Sequence, residues 1–148
     1  MNFDVLPAEG KVCNDVFAYP VRVYYEDTDA GGIVYYANYL KFAERARSEF
    51  LRLIGVDQQR DLSENQSGFV VRSCNIEYLS SAVLNDNLVI TCKIVELGAA
   101  SAIIAQEIYR GDELLCTVEV KVVYLNITTH RPTRISKENI EKMQKFFN

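Results

Sequence analysis

One apolar stripe of helical period lies between a single strand-like run and four more in succession, and that order leaves few ways to build a core. Between positions 37 and 54, Tyr39, Phe42, Ala43, Ala46, Phe50, Leu53 and Ile54 recur at three- and four-residue spacing. That spacing gathers them on one face of an α-helix, and Gly55 is a stop signal for it. Upstream, 19–25 (YPVRVYY) alternates, with Val21, Val23 and Tyr25 on one side and Arg22 and Tyr24 on the other. This predicts a first strand, with Pro20 at its entry. Downstream, strands are predicted over 69–79, 88–97, 101–110 and 114–125, separated by 85–87 (NDN), Gly98 and the hairpin pair Gly111-Asp112. Consecutive antiparallel strands beside one long helix argue for an α+β architecture rather than βαβ units. The expectation is an antiparallel sheet of five to six strands curled round one central helix.

The remaining segments are less regular. Residues 1–18 have no clear period and read as a loosely held N-terminal extension. Residues 57–68 (DQQRDLSENQSG) are polar and read as an exposed loop. Ser136 suits the N-cap of a short last helix over 136–147. On the long helix, Arg45 with Glu49, Ser48 with Arg52 and Glu44 with Arg47 are spaced for solvent-side pairs. At 148 residues the chain is read as one domain over 1–148, large enough to bury a core without disulfide or metal staples.

Composition narrows the function classes. Hydrophobic residues make up 49% and charged residues 24%, with no long apolar run and no basic-then-apolar leader, so neither a membrane span nor a signal peptide is expected. A net charge of −4 with scattered Lys and Arg speaks against nucleic acid, which wants a clustered basic face. Cys13, Cys74, Cys92 and Cys116 are isolated, with no CxxC or Cys/His cluster. No metal site or other cofactor is expected from them. Three of them lie in strand-like runs, where a free Cys packs as a small apolar residue. A reducing, cytoplasmic setting fits.

The chemistry concentrates in 23–50 (VYYEDTDAGGIVYYANYLKFAERARSEF). Asp27 and Asp29 sit in a glycine-rich turn just before the helix. Free backbone N–H groups at a helix start favour negative charge and can hold a developing oxyanion. A carboxylate beside such amides is enough to attack, or direct water at, a polarised carbonyl, with no histidine or metal required. The same placement also suits a helix cap or an Asx turn.

The stretch YYEDTDAGGIVYYANYL, the FxERAR that follows, and then FVVR at 69–72, Glu77-Tyr78 and Asp86 resemble the signature of the Tol–Pal-associated acyl-CoA thioesterases of the YbgC type. These are grouped with the 4-hydroxybenzoyl-CoA thioesterases in the hotdog superfamily. The resemblance covers most of 19–132. It implies a hotdog fold and hydrolysis of acyl-CoA thioesters to free acid and CoA. It further implies that Asp29 is the catalytic acid, as nucleophile or general base, and that the backbone N–H at Tyr36 holds the thioester oxygen. Gly31 and Gly32 would let the chain turn closely round the acyl group. Asn38 and Tyr39 would shape the first helical turn and the pocket wall, and Asp27 would hold the turn. Two departures stand out. Many YbgC relatives carry His where this chain has Tyr36, which leaves an amide role but no imidazole. The turn 97–101 (LGAAS) also lacks the basic cluster of the hydroxybenzoyl-CoA pattern, so CoA phosphates would rest on Arg72, Lys93 or Arg110, or stay in water.

Other features point elsewhere. His130 is the only histidine and sits after the last long strand, far in sequence from the glycine turn. That weakens a hotdog dehydratase reading, which needs a positioned His. A non-catalytic module that binds acyl thioesters or acyl carriers is the rival from another class. Of nine tyrosines, Tyr19, Tyr24, Tyr25, Tyr35, Tyr36 and Tyr39 crowd around the motif and suit either an acyl pocket or a subunit interface. An uncovered sheet edge or face predicts a homo-oligomer, expected as a dimer of dimers. Acyl-CoA, and acyl carrier protein as a second thioester donor, are the expected partners.

Overall fold

The computed structural model describes residues 1–147; the expectation of one domain over 1–148 ends on Asn148, outside the described residues. The elements run β1 (Lys11–Cys13), β2 (Val16–Arg22), α1 (Asn38–Ile54), α2 (Gln58–Asn65), β3 (Ser67–Tyr78), β4 (Asn87–Leu97), β5 (Ser101–Arg110), β6 (Glu113–Asn126), β7 (Arg131–Pro132) and α3 (Lys137–Gln144). One antiparallel sheet takes the order β1-β2-β4-β5-β6-β3, with β7 added beside the end of β6. Seven strands thus stand where five to six were expected, because short β1 and β7 extend the two ends of the pattern. Register shifts at Val71/Ser73, Ile94/Glu96 and Ile108/Tyr109 mark irregularities that sharpen local twist and let the sheet curl.

The curled sheet packs on α1. Phe42, Ala43, Ala46 and Phe50 of α1 join Phe17 and Val21 of β2, Ile90 and Ile94 of β4, Ile104 of β5 and Val118 of β6 in one buried cluster. Ala43 and Ala46 are fully buried, so their small side chains let the helix lie close on the strands. Phe17 and Phe50 meet with ring centroids 5.5 Å apart. Each buried Phe, Val or Ile of this cluster is worth about 1.5–3 kcal/mol, and together they hold α1 against the sheet. Gly55 closes the helix at φ 93°, its N–H donating to the carbonyls of Arg52 and Leu51.

Several local expectations are corrected. The first strand ends at Arg22, three residues early, since 25–27 form a short 3-10 turn that leaves Tyr25 exposed. The N-terminal extension is not loose throughout: 11–13 pair with 16–18 as a hairpin through Asn14 and Asp15, both at positive φ. The polar loop at 57–68 contains α2, with the Asp57 side chain accepting from the Arg60 amide as its N-cap. Polarity misleads there because little of α2 is buried, Asp61 being its only buried residue. On α1, Leu53 is exposed and Leu51 buried in its place. Glu49 pairs with Arg52 rather than Arg45, and Arg47 is buried rather than paired with Glu44. The last helix is capped by Ser136 as expected but stops at Gln144.

Candidate active site

The turn between β2 and α1 is built by its own side chains. Asp27 Oδ2 accepts from the Tyr24 amide at 2.8 Å, and the Asp27 carbonyl accepts from the Tyr35 amide at 2.9 Å and from Asn38 Nδ2 at 2.8 Å. Asp27 therefore ties the strand exit to the helix entry. Between these ties the chain makes a tight loop: the Asp29 amide donates to the Ile33 carbonyl and the Gly32 amide to the Asp29 carbonyl, both at 3.0 Å. Gly32 has φ 80°, a conformation glycine takes without the strain of a Cβ.

Asp29 projects from this loop into solvent. Its Oδ1 accepts from the Gly31 amide at 2.8 Å, which orients the carboxylate. A Cβ on Gly31 would lie 3.1 Å from that same oxygen, so the glycine leaves room for the carboxylate where it stands. The Tyr35 phenol is raised above its usual range, first by its contact with the Tyr36 side chain and, among smaller causes, by the negative charge of Asp29. The carboxylate and the residues entering α1 thus share one electrostatic neighbourhood.

At the helix start, Ala37 is the N-cap and offers no side-chain cap. Among the described residues the Tyr36 amide donates to no acceptor, while the Tyr36 carbonyl accepts from the Tyr78 hydroxyl at 3.0 Å. An uncommitted N–H just before a helix is a donor available to an anion or a polarised carbonyl. The Tyr36 side chain is 62% exposed and meets the Tyr78 ring edge-on at 6.1 Å. Tyr39 lies beneath, 5.7 Å from Tyr78, almost wholly buried, with its hydroxyl accepting from the Ala82 amide at 2.9 Å. Burial raises its phenol above the usual range.

The structure therefore places Asp29, Gly31, Gly32, Tyr36, Asn38 and Tyr39 in one turn-and-helix unit. Asp29, Gly31, Gly32 and Tyr36 face solvent; Asn38 and Tyr39 are buried, with side-chain polar atoms committed to protein partners. Outside that unit, the connection 79–86 clasps the turn: the Val34 amide donates to the Ala82 carbonyl at 2.9 Å, and Ile33 bridges to Val83. This clasp was missed in the sequence, since within 79–86 only the turn at Asn85 and Asp86 stood out.

Of the three cations considered for phosphates, Arg110 is already engaged by Asp86 and Glu113, each at 2.7 Å. His130 lies beyond Asn126, whereas Cys116 near the other end of β6 pairs with Tyr78. Ten residues of strand at about 3.3 Å each put roughly 33 Å between those ends, so within one chain the imidazole is remote from the turn. Arg47 is buried and donates to Gln106 Oε1 at 2.9 Å, while Gln106 Nε2 donates to the Ala43 carbonyl and to Cys92 Sγ. Its place four residues after Ala43, on the apolar stripe, was the signal for that burial. No cluster of metal-ligating side chains occurs among the described residues, and no described helix is long and apolar enough to cross a membrane.

Known proteins resemble this chain over most of its length. The sequence profile of the Thioesterase-like superfamily matches residues 23–145. An acyl-CoA thioesterase, YbgC, of Haemophilus influenzae is 43% identical over 122 residues, which cover 82% of this chain and 90% of that protein. An acyl-CoA thioester hydrolase, YbgC, of Escherichia coli O6:H1 is 40% identical over 130 residues, covering 87% and 96%. A crystal structure of a probable thioesterase from Bartonella henselae superposes with a TM-score of 0.78 at 35% identity, covering 82% of this chain and 99% of that one.

Proposed function

Since this chain belongs to the Thioesterase-like superfamily, we propose that it hydrolyses acyl-CoA thioesters to free acid and CoA, with Asp29 as the catalytic carboxylate. The hydrolase activity follows from YbgC relatives matched over most of their length. The observation that carries the residue assignment is an oriented, solvent-facing carboxylate in a turn tied directly to a helix start whose Tyr36 amide is uncommitted.

In this reading the thioester carbonyl oxygen accepts from the Tyr36 N–H, and the carbonyl carbon faces Asp29. As nucleophile, Asp29 would add to that carbon and expel CoA thiolate, leaving an acyl–carboxylate anhydride that water then hydrolyses. As general base, it would take a proton from water as the water adds, and CoA would leave in the same way. In single-turnover hydrolysis in oxygen-labelled water, label in the Asp29 side chain identifies the anhydride route, because only water attacking the aspartyl carbonyl of the anhydride puts it there. Gly31 holds the carboxylate, Gly32 closes the loop, and Asn38 and Tyr39 fix the first helical turn beneath the acyl group. The side chain at Tyr36 is not required for the donor role.

The wider setting belongs to the same proposal. β3 is a sheet edge of 12 residues with exposed Val70, Val71 and Tyr78, and an unpaired apolar edge favours pairing with a second copy. That supports a homo-oligomer, taken as a dimer of dimers; light scattering should then give four times the chain's mass. Four free cysteines suit a cytoplasmic enzyme, and acyl carrier protein is a second donor to be compared with CoA. The function is tested by thiol release across an acyl-CoA series of increasing chain length, including aromatic acyl groups. Turnover supports hydrolysis. Stoichiometric binding without thiol release would indicate a binding module, and an enoyl product from a 3-hydroxyacyl substrate would indicate a dehydratase.

A further inference from the structure

The connection 79–86 is held on every side by short hydrogen bonds. Its start is fixed to β6, the Leu79 and Ser80 amides donating to the Leu115 carbonyl at 2.8 and 3.1 Å. Its end is fixed to the strand exit, the Val23 amide donating to the Asp86 carbonyl at 2.9 Å and the Asn85 amide to the Val23 carbonyl at 3.0 Å. Within it, Asp86 Oδ2 accepts from the Val83 amide at 2.9 Å and from Arg110 Nη1 at 2.7 Å, and Arg110 Nη1 also donates to the Ser81 carbonyl at 3.2 Å. Arg110 Nη2 is steadied by Glu113 at 2.7 Å. One guanidinium at the end of β5 therefore grips both halves of the connection.

Ala82, between those two grips, is fully buried and spends both its backbone groups on the site. Its carbonyl accepts from Val34 in the Asp29 loop, and its amide donates to Tyr39 in the first turn of α1. The two halves of the proposed catalytic unit thus meet on one residue whose position Arg110 and Asp86 set.

We propose that Arg110 and Asp86 are positioning residues for the hydrolysis: through Ala82 they set the distance between the Asp29 carboxylate and the donors at the helix start. The inference rests on the reading of Asp29 and Tyr36 given above. A reacting pair needs its spacing held to within about half an ångström, and a misplacement of about 1 Å can cost roughly 10²-fold in rate. An exposed ion pair with no such duty contributes little to anything.

The test is steady-state hydrolysis of one acyl-CoA by the full chain and by Arg110→Gln, Asp86→Asn and Arg110→Lys, each checked for fold by circular dichroism and for Tm. Arg60→Gln, which breaks the exposed Arg60–Glu64 pair on α2, is the control. In folded Arg110→Gln and Asp86→Asn, kcat should fall about 10- to 10²-fold with KM nearly unchanged. Arg110→Lys, which keeps the charge, should recover part of the loss, and Arg60→Gln should match the parent. Parental kcat in folded Arg110→Gln or Asp86→Asn, or a rise in KM alone, would overturn the positioning role. If Arg110→Gln does not fold, Asp86→Asn decides. Asp29→Asn, measured alongside, separates the two claims: its retaining full activity defeats the catalytic reading, whereas its losing activity while Arg110→Gln keeps it defeats only the positioning one.

Discussion

At Gly31 and Gly32 the two glycines of one loop do different work, and substitution should separate them. Gly32 adopts φ 80°, and a methyl group placed on its Cα would meet nothing within 4 Å, so Gly32→Ala meets only backbone strain. That costs about 1–2 kcal/mol, read as a lower urea midpoint. Gly31 has no such angle, but a methyl group placed on its Cα would lie 3.1 Å from Asp29 Oδ1. Gly31→Ala should therefore leave the urea midpoint nearly unchanged and lower kcat by displacing the carboxylate. The turn formed by Asp29, Gly31 and Gly32 was legible in the sequence because Asp and Gly favour turns; the role proposed for Asp29 came from the family resemblance. The reach of Asp27 to the Tyr24 amide and to Asn38 was legible only as a turn-holding role. Arg110's hold on Asp86 was not legible, since 24 residues separate them and only the β4–β5 pairing brings them together.

At the scale of elements, α1 was readable over almost its full length because its buried face repeats at helical spacing. α2 and β1 were not, because neither buries a periodic apolar face and both take their shape from neighbours. The buried Arg47–Gln106 contact joins α1 to β5. Burial lowers the Arg47 guanidinium from its usual range, and Gln106 Oε1 is the acceptor that offsets this. Gln106→Leu would leave a buried charge without that acceptor and should destabilise the fold by about 2–3 kcal/mol, measured by urea unfolding. The connection 79–86 has its own pH signature. Burial alone would raise the Asp86 carboxyl, but the Val83 amide and the Arg110 guanidinium outweigh it and hold it below the usual range. Glu113 is lowered as well, first by its bond to Arg110. A carboxylate depressed in the folded state binds fewer protons there than when unfolded. Its stabilisation is present above the ordinary carboxylate range and is lost as pH falls through the folded value. Stability should thus decline on acidification, and Asp86→Asn should flatten that decline.

For the whole molecule, the order of one strand, a long helix and four strands was enough to specify a sheet closed on a helix. The order of strands within it, with β3 carried to the far edge beside β6, has no local signal in the sequence, because it pairs segments far apart along the chain. Two cysteines sit deep in that core: burial pushes the Cys92 thiol up to about 12 and the Cys116 thiol to about 11. Cys13 and Cys74 are exposed. A thiol reagent at neutral pH should modify Cys13 in the native protein and reach Cys92 and Cys116 only after unfolding, because the thiolate is the reactive form. Mass spectrometry of labelled peptides reads this directly, and early labelling of Cys92 would contradict the packing described here.

The proposed function turns on the carboxylate at position 29 acting on a thioester carbonyl. Its most direct measurement is kcat/KM of Asp29→Asn, folded as the parent is, on an acyl-CoA that the parent hydrolyses. A fall of roughly 10²- to 10⁴-fold is predicted, the range a positioned acid–base group contributes. A rate equal to the parent's would contradict it.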